Sequence, residues 1–510
     1  MVPQHSTSGN GPLPQSKTFV LGACRGTVAG PLAESLPPAL ARLPHAAGFA
    51  VVKQSTVRTV LSGNAGGTDV HIKLFRSGSL SDRARDAMRG DRGLRESKHL
   101  LAAAALGLAV VTPVAYGTCE DDAAGKQSFL VTRSVPNSTR CSFALPKVVL
   151  QRVGEMLRHA HDRGFLPGDL HPGNIVIDAL GMPWLLDLTS VRHAGEATLH
   201  RRAEGLAFFC QELDGGPLDP IAAELLTAYL AAGNPLSAAF SKELSQAACS
   251  LRLHMLTSFG RRSSRDCRHT LMGVRRRGVP RWHWHKIGDE ERNEQMRRAC
   301  EAFATAAPPP DKTGRRGAVW LLANLVVKQR EQGAARKLFT AMYWLHFANI
   351  PQAAPVALRT FDGMGHLFAA RIAKSNLRVE LQDHSLHGSA LLAAAHSLGT
   401  AVGRLHAHGL RNRDLKFDNL VRDPVTGAIC MVDLDGVQLK RPSDQRGQGR
   451  DLGRLLAAFR GAGSPGGIAS VMSFARAYQR ARKRLLQPAT LHRLWQTAGK
   501  RAHEWHSAHR

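Results

Sequence analysis

The 510-residue chain has few aromatic residues and no long uninterrupted apolar run. Phe, Trp and Tyr make up only 6% of it, and no basic stripe is interleaved with the aromatic side chains that stack on bases. These features argue against nucleic acid as a partner. The most apolar run, residues 100–114, is interrupted by Thr112 and Pro113 and is shorter than the roughly 20 residues that cross a bilayer. The sequence therefore predicts no transmembrane segment.

Closely spaced cysteines and an apolar leader are also absent. The eight cysteines are scattered without a C-x-x-C pair, so we expect neither a zinc site nor dithiol redox chemistry. Residues 1–17 are polar and rich in Ser, Pro and Gly, without the apolar core of a secretory signal. Together these absences indicate a reducing, cytoplasmic environment and a disordered N-terminal tail over residues 1–19.

Acidic residues are scarce beside basic ones. The chain has 68 Lys and Arg against 40 Asp and Glu, which gives a net charge of +28. A surface this basic attracts polyanions, such as nucleic acid, anionic lipid head groups or a phosphorylated glycolipid. Codon bias that favours Arg is the alternative explanation of the excess, and charge alone does not choose among these.

The length of the chain indicates two domains. A single hydrophobic core stops growing at roughly 250 to 300 residues, so 510 residues are expected to divide. The hydrophobic fraction of 43% and the charged fraction of 21% are ordinary for soluble globular proteins. We predict one domain over residues 20–240 and a second over residues 255–510.

An internal repeat surrounds two polar loops. The first copy reads HDRGFLPGDLHPGNIVID from His161, and the second reads HAHGLRNRDLKFDNLVRD from His406. The spacings from His to Gly, from Gly to Asp and from Asp to Asn are the same in both copies. Each copy follows an apolar pattern of helical period and precedes two short β-rich runs, the second of which ends on an acid. The pattern predicts helix, loop, hairpin and acid, twice.

Each copy supplies the polar groups that phosphoryl transfer requires. A single D-x-x-x-x-N is more often a turn, but two copies with matching flanks favour a phosphotransferase. Asp169 and Asp414 are the candidate catalytic residues, because each would accept the proton of an acceptor hydroxyl. The candidate ligands of Mg²⁺, all with hard oxygen donors, are Asn174 with Asp187 and Asn419 with Asp433.

These motifs resemble those of a known superfamily. GDLHPGN from Gly168 and RDLKFDN from Arg413 are similar to the catalytic loops of protein-kinase-like enzymes, and DLDG from Asp433 resembles their metal-binding segment. The chain most resembles the lipopolysaccharide kinase family, which phosphorylates Kdo or heptose, over residues 50–212 and 262–459. The first copy is also similar to aminoglycoside and choline kinases.

The resemblance implies an α+β fold of two tandem protein-kinase-like bilobal domains, each with a small β-rich lobe and a larger helical lobe. It also implies ATP and Mg²⁺ as cofactors. Asp451 matches a family Asp that braces the catalytic loop. The first copy has Arg202, Ala203 and Glu204 near that place, which puts its brace in doubt.

The cation for the nucleotide phosphates differs between the copies. Kinases hold the α- and β-phosphates with a strand Lys that is paired with a helix Glu. In the first copy, Lys73 lies in the strand-like run VHIKLF and Glu96 follows on a helix. In the second copy Lys328 is the candidate, and Leu338 stands where Glu96 does. We therefore predict an active first module and a weaker or silent second one.

The expected function is ATP-dependent phosphorylation of a hydroxyl group on an envelope glycolipid or its sugar core. The expected place is the cytoplasmic face of the inner membrane of a Gram-negative bacterium, where a basic protein would bind peripherally to the anionic surface. Two alternatives stay open. One is a kinase of a soluble small molecule or a protein, and the other is a pseudokinase scaffold in which one or both modules do not turn over.

Overall fold

The computed structural model describes most of the chain in two compact units, Met1–Ala248 and Cys249–Arg510. The predicted domain limits stay a prediction. The described residues are 13, 15–41, 43, 48–55, 57–76, 86, 88, 90–121, 125–193, 197–213, 216–267, 269–273, 278–286, 290–373, 375–440, 444–461, 467–483 and 488–508.

The first unit contains a seven-stranded antiparallel sheet. Its strands, in chain order, are β1 (Ser16–Leu21), β2 (Cys24–Ala29), β3 (Phe49–Gln54), β4 (Arg58–Ala65), β5 (Thr68–Arg76), β6 (Pro113–Asp121) and β7 (Gly125–Arg133). Their spatial order is β1-β2-β6-β7-β5-β4-β3. In β5 the alternate residues Val70, Ile72 and Leu74 are fully buried, as the period of two requires for a strand with one face on a core.

Helices and short strands make up the rest of the first unit. The helices are α1 (Leu36–Leu40), α2 (Arg92–Ala105), α3 (Lys147–Asp162), α4 (Leu199–Phe209), α5 (Ala223–Ala231) and α6 (Phe240–Arg262), within which the boundary between the units falls. The short strands are β8 (Thr139–Arg140), β9 (Phe165–Pro167), β10 (Ile175–Ile177), β11 (Pro183–Leu185) and β12 (Val191–His193). Strands β10 and β11 form the predicted hairpin.

The second unit repeats this plan. Its sheet consists of β13 (Thr270–Met272), β14 (Arg281–His285), β15 (Lys312–Gly314), β16 (Gly317–Leu321), β17 (Leu325–Glu331), β18 (Pro355–Phe361) and β19 (Met364–Ala370). The spatial order, β13-β14-β18-β19-β17-β16-β15, is the order of the first sheet when the strands are counted from the start of each unit. The internal repeat therefore extends to the sheets, where the sequence did not reveal it.

The helices and short strands of the second unit follow the same sequence of elements, except that helix α9 stands where the first unit has strand β8. The helices are α7 (Glu290–Thr305), α8 (Gln332–Phe347), α9 (Leu377–Gln382), α10 (Gly388–Ala407), α11 (Gln445–Gly461), α12 (Gly467–Lys483) and α13 (Pro488–Ala508). The short strands are β20 (Leu410–Asn412), β21 (Leu420–Arg422), β22 (Ile429–Met431) and β23 (Val437–Leu439), which pair as β20 with β23 and as β21 with β22.

A glycine at the same repeat position holds the helix before each polar loop against a later helix. A Cβ atom on Gly154 of α3 would lie 2.2 Å from the carbonyl oxygen of Leu225 in α5, and one on Gly399 of α10 would lie 2.3 Å from that of Phe474 in α12. Both distances are too short for any side chain. Glycine is therefore required where the backbones approach so closely.

The structure corrects the predicted extent of the disordered N-terminal tail. Residues 16–19 of the predicted disordered tail, 1–19, belong to β1, because their backbone pairs with β2 along its whole length. Residues 1–12 and 14 lie outside the described part. None of the described helices is both long and apolar enough to span a membrane. The mixed α+β character and the two seven-stranded sheets agree with the predicted fold class.

Candidate active sites

The first unit forms the predicted lysine–glutamate ion pair. Lys73 extends from β5, and its Nζ lies 2.5 Å from Oε1 of Glu96 on α2, whose side chain is fully buried. The same Nζ donates a hydrogen bond to the carbonyl oxygen of Leu186 at 2.8 Å and lies 3.9 Å from Oδ1 of Asp187. Burial raises the pKa of Glu96 above its ordinary value, because the nearby Lys73 offsets only part of the cost of desolvation.

Asp169 and Asn174 of the first unit lie in the loop between β9 and β10. The Asp169 side chain is exposed, so an acceptor hydroxyl could reach it. The amide nitrogen of the buried Asn174 side chain donates to the backbone carbonyl of Asp169 at 2.7 Å. The backbone carbonyl of Asn174 accepts a hydrogen bond from the amide of Leu186 at 3.0 Å, next to Asp187. Hydrogen bonds therefore join Asp169 to Asn174, and Asn174 to the residue that precedes Asp187.

Arg58 contacts Asp187, a neighbour that the sequence did not suggest. It extends from the start of β4, and its guanidinium donates to Oδ2 of Asp187. Burial raises the pKa of Asp187, but the charges of Lys73 and Arg58 more than offset it, so the net pKa is below the ordinary value and the group is a carboxylate at neutral pH. No local pattern could have indicated this contact, because Arg58 and Asp187 are 129 residues apart along the chain.

The donor atoms of the first unit fit Mg²⁺. The buried Oδ1 of Asp187 has no hydrogen-bond partner among the described residues. Asn174 uses its amide nitrogen for Asp169, which leaves its amide oxygen as a further hard donor. Over the described ranges no three His, Cys, Asp or Glu side chains converge on one point. Mg²⁺ in sites of this kind is held by one or two protein oxygens together with substrate phosphates.

The second unit pairs its lysine with the candidate metal ligand itself. Nζ of Lys328, on β17, lies 3.2 Å from Oδ1 of Asp433 and donates to the carbonyl oxygen of Val432 at 3.3 Å. Leu338 of α8, at the place of a helix acid, is buried. Glu331 accepts hydrogen bonds from two amides at the start of α8 instead, at 2.9 and 3.3 Å. Its carboxylate is therefore used as a helix cap.

The candidate catalytic loop of the second unit has more hydrogen bonds and ion pairs around its Asp than that of the first. The amide nitrogen of Asn419 donates to both the backbone oxygen and Oδ2 of Asp414, at 2.9 and 3.0 Å. Lys416 places its Nζ 3.5 Å from Oδ1 of Asp414. Asn412 accepts a hydrogen bond from the amide of Asp414 at 3.0 Å. The Asp414 side chain is still 41% exposed, so an acceptor could reach it.

A fully buried carboxylate braces the second catalytic loop. Asp451 of α11 accepts hydrogen bonds from Nε and Nη2 of Arg411 at 3.2 and 3.0 Å. It also accepts one from the amide of Asn412 at 3.2 Å. These bonds tie α11 to β20, immediately before Asp414. The position that the family resemblance indicated therefore makes the contacts of a brace.

The first unit has an ion pair in the same region, with the cation on the later helix. Arg202 of α4 donates to the carbonyl oxygen of Ala197 at 2.9 Å and to the carboxylate of Asp162 at the end of α3. Arg158 of α3 donates to both oxygens of Asp162 at 2.9 Å. The later helix thus supplies a cation here, whereas α11 supplies an acid in the second unit. These bonds tie α4 to the end of α3, so whether the first loop has a brace like that of Asp451 stays a question of the prediction.

Arg330 borders two of the cavities in the described part of the second unit. The first, of about 330 Å³, is bordered by apolar residues of the sheet and by Lys328, Asn419 and Asp433. The second, of about 820 Å³, is open and bordered by Asp414. Arg330 is buried, lines both cavities and donates to Oδ2 of Asp435 at 3.2 Å. The sequence did not indicate Arg330, which lies two residues after the candidate lysine on the same strand.

One known family matches the first unit. Residues 48–204 match the model of the Lipopolysaccharide kinase (Kdo/WaaP) family, which confirms the family resemblance that the motifs predict. The matched segment contains the site residues of the first copy and none of the second. No curated protein matches the chain.

Three of the solved structures with some likeness to the chain share little sequence with it. WaaP in complex with acyl carrier protein is 18% identical over 39% of this chain and 88% of its own, with a TM-score of 0.27. A choline/ethanolamine kinase family protein from Mesorhizobium loti is 15% identical over 44% and 85%, with a TM-score of 0.31. The bifunctional kinase-methyltransferase WbdD is 15% identical over 38% and 47%, with a TM-score of 0.26. Likenesses this low say nothing about substrate.

Proposed function

We propose that this chain, which matches the lipopolysaccharide kinase family over residues 48–204, transfers a phosphoryl group from ATP to a hydroxyl group of a lipopolysaccharide-related sugar. The observation that carries the proposal is the buried pair of Lys73 and Glu96 beside Asp187, within the matched segment. Each unit would be one bilobal kinase-like domain of a tandem.

In this proposal each site residue of the first unit has a separate role in phosphoryl transfer. Asp169, exposed at the loop, would accept the proton of the acceptor hydroxyl. Lys73, held by Glu96, would bind the nucleotide phosphates, while Asn174 and Asp187 would hold Mg²⁺. When bound, Mg²⁺ neutralises charge on the phosphate oxygens. In the second unit Asp414 would accept the proton and Lys328 would bind the nucleotide phosphates. Asn419 and Asp433 would hold Mg²⁺ there.

A direct assay separates the favoured acceptor from the alternatives. The full-length chain would be incubated with ATP, Mg²⁺ and a lipopolysaccharide core acceptor, and in parallel with choline, a free hexose or a generic protein substrate. We expect phosphate transfer to the core acceptor, seen as a mass increase and a new phosphomonoester signal. Transfer to a soluble compound alone would favour the small-molecule kinase, and binding of nucleotide without any turnover would favour the pseudokinase.

Peripheral binding to an anionic membrane surface is expected from the net charge of +28. Exposed charges are screened over about 10 Å at 0.1 M salt and about 3 Å at 1 M, so binding to anionic vesicles should weaken as salt is raised. Flotation with anionic and with neutral vesicles measures this. Retention that is equal at low and high salt, or equal on neutral vesicles, would contradict electrostatic attachment.

Arg58 is expected to compete with Mg²⁺ for Asp187. In Arg58→Gln the metal no longer displaces a cation, so the Mg²⁺ concentration at half-maximal ATP turnover should fall by roughly threefold, the scale of a partly exposed ion pair. Arg25→Gln, the same charge change on β2 of the same sheet, is the control and should leave this concentration unchanged. Weaker ATP binding with unchanged Mg²⁺ dependence would instead assign Arg58 to the nucleotide.

A further inference from the structure

The open cavity of the second unit is bordered mainly by cations. Beside Asp414, the residues with positive side chains that line it are Arg315, Arg316, Arg330, Arg413, Lys416 and Arg454. Arg315 and Arg316 form the turn between β15 and β16, where Gly314 and Gly317 flank them. This turn covers the candidate active site from the sheet, in the place where kinases have a glycine-rich loop.

The acids of this cavity are already engaged. Asp435 accepts a hydrogen bond from Arg330, Glu331 caps α8, and Asp414 is bonded to Asn419. Among the described residues, by contrast, no carboxylate forms an ion pair with Arg315, Arg316, Arg413 or Arg454. Several unpaired guanidinium groups around one open space constitute a site for an anion, since guanidinium forms charge-assisted hydrogen bonds with phosphate and carboxylate.

The first unit lacks these cations at the matching positions. Lys73 pairs with Val60 across its sheet as Lys328 pairs with Val319, and His161 aligns with His406 in the repeat, so the two units can be compared residue by residue. The first-unit counterparts of Arg316, Arg330, Arg413 and Lys416 are Val57, Phe75, Gly168 and His171. The basic cavity is therefore a property of the second unit and not of the basic composition of the whole chain.

The anion belongs on the acceptor side of the candidate active site. Lys328, Asn419 and Asp433, the nucleotide-side and metal-side groups, line the other cavity, and Asp414 lines this one. Among the residues that the structure describes, Arg330 alone borders both. An anion held by Arg315 and Arg316 would lie beside the carboxylate that receives the hydroxyl proton.

We infer that the second unit takes an acceptor that already carries a phosphate or carboxylate group, and that Arg315 and Arg316, with Arg413 and Arg454, bind this group. The inference rests on the proposed phosphotransferase function. The anion orients the acceptor so that a hydroxyl group of the same molecule meets Asp414. A neutral sugar or alcohol would leave the arginines unpaired and would bind this unit poorly.

Inorganic phosphate is a suitable probe because it binds without nucleotide or turnover. Calorimetry would compare the intact chain with Arg315→Gln/Arg316→Gln, and the expected result is a dissociation constant for phosphate raised by roughly tenfold, as two charge-assisted contacts are lost. The matched control is Arg476→Gln/Arg480→Gln, which removes two exposed arginines of α12 and so the same charge. It should stay within about twofold of the wild-type chain.

A second variant and a competition experiment complete the test. Arg454→Gln, on α11, should weaken phosphate binding in the same direction even if the double turn variant does not fold. Saturating phosphate should leave the affinity for MgATP within about twofold, whereas a tenfold loss would place the anion on the nucleotide and overturn the assignment to the acceptor. Equal phosphate binding in all variants would also overturn it. Absence of turnover in the wild-type chain would contradict the proposed function and not the anion site.

Discussion

Replacing Asp169 with Asn is expected to lower phosphoryl transfer by about 10²–10⁴-fold, the usual contribution of a positioned general base. Asn has the shape of Asp and cannot accept the proton of the acceptor hydroxyl. Asp169 is exposed, and its backbone carbonyl, which receives the Asn174 hydrogen bond, is unchanged by the substitution. Folding and ATP affinity should therefore stay near those of the wild-type chain. Single-turnover rates and ATP titrations measure the two quantities separately.

Asp414→Asn in the intact chain is the matched comparison. We expect a smaller loss of total turnover, because Lys328 is paired with Asp433 and not with a helix acid. A lysine that neutralises the metal ligand is less available for the nucleotide phosphates, which in kinases are held by a Lys–Glu pair. If Asp414→Asn abolishes turnover while Asp169→Asn leaves it unchanged, the order of the two modules is the reverse of the one predicted here.

The local order of elements could be predicted from the sequence because it depends on neighbours in the chain. Helix, loop, hairpin and acid follow each other within about 40 residues of each copy, and periodicity and turn residues indicate such elements directly. The pairing of Lys73 with Glu96 could also be predicted, because the two residues lie on neighbouring elements along the chain. Gly154 and Gly399 share a repeat position, yet their role follows only from how closely the facing helices approach.

Contacts between distant segments could not be predicted in the same way. Arg58 reaches Asp187 and Arg330 reaches Asp435 across more than 100 residues each, because pairing within the sheets places these strands above the hairpin acids. The sequence of the turn with Arg315 and Arg316 is that of an ordinary basic hairpin. Only the structure shows that this turn and Asp414 line the same cavity. The two units also have opposite charges in this region, Arg202 on α4 and Asp451 on α11, so the two sequences do not match there.

Removing the charge of Asp451 is expected to destabilise the second unit by about 3–5 kcal/mol, because Arg411 loses its fully buried ion-pair partner and keeps only the partly exposed Asp444. In Asp451→Asn the guanidinium of Arg411 loses a fully buried counter-charge, and one of its two hydrogen bonds to that side chain loses its acceptor, because an amide has a single acceptor oxygen. Urea unfolding of the full chain, followed by probes in each unit, measures the change. The first unit should unfold as in the wild-type chain.

Asp444→Asn is the control on the same arginine. Asp444 lies 3.0 Å from Nη1 of Arg411, but its side chain is 31% exposed, so water can replace the lost interaction and the cost should be about 1 kcal/mol or less. Equal losses in the two variants would show that the total charge around Arg411 matters and not its burial with Asp451.

A double variant separates loss of the ion pair from loss of the buried charge. The first unit has Leu166, a buried residue, at the repeat position of Arg411, so the fold accommodates leucine there. In Arg411→Leu/Asp451→Asn no fully buried charge is left unpaired, because the other partner of Arg411, Asp444, is partly exposed to water. The new amide oxygen can still accept from the backbone of Asn412. Replacing both partners of a buried pair by less polar groups is often nearly neutral. The double variant should therefore regain most of the stability that Asp451→Asn loses, and a loss as large as that of the single variant would mean that the brace acts through the shape of Arg411 and not through its charge.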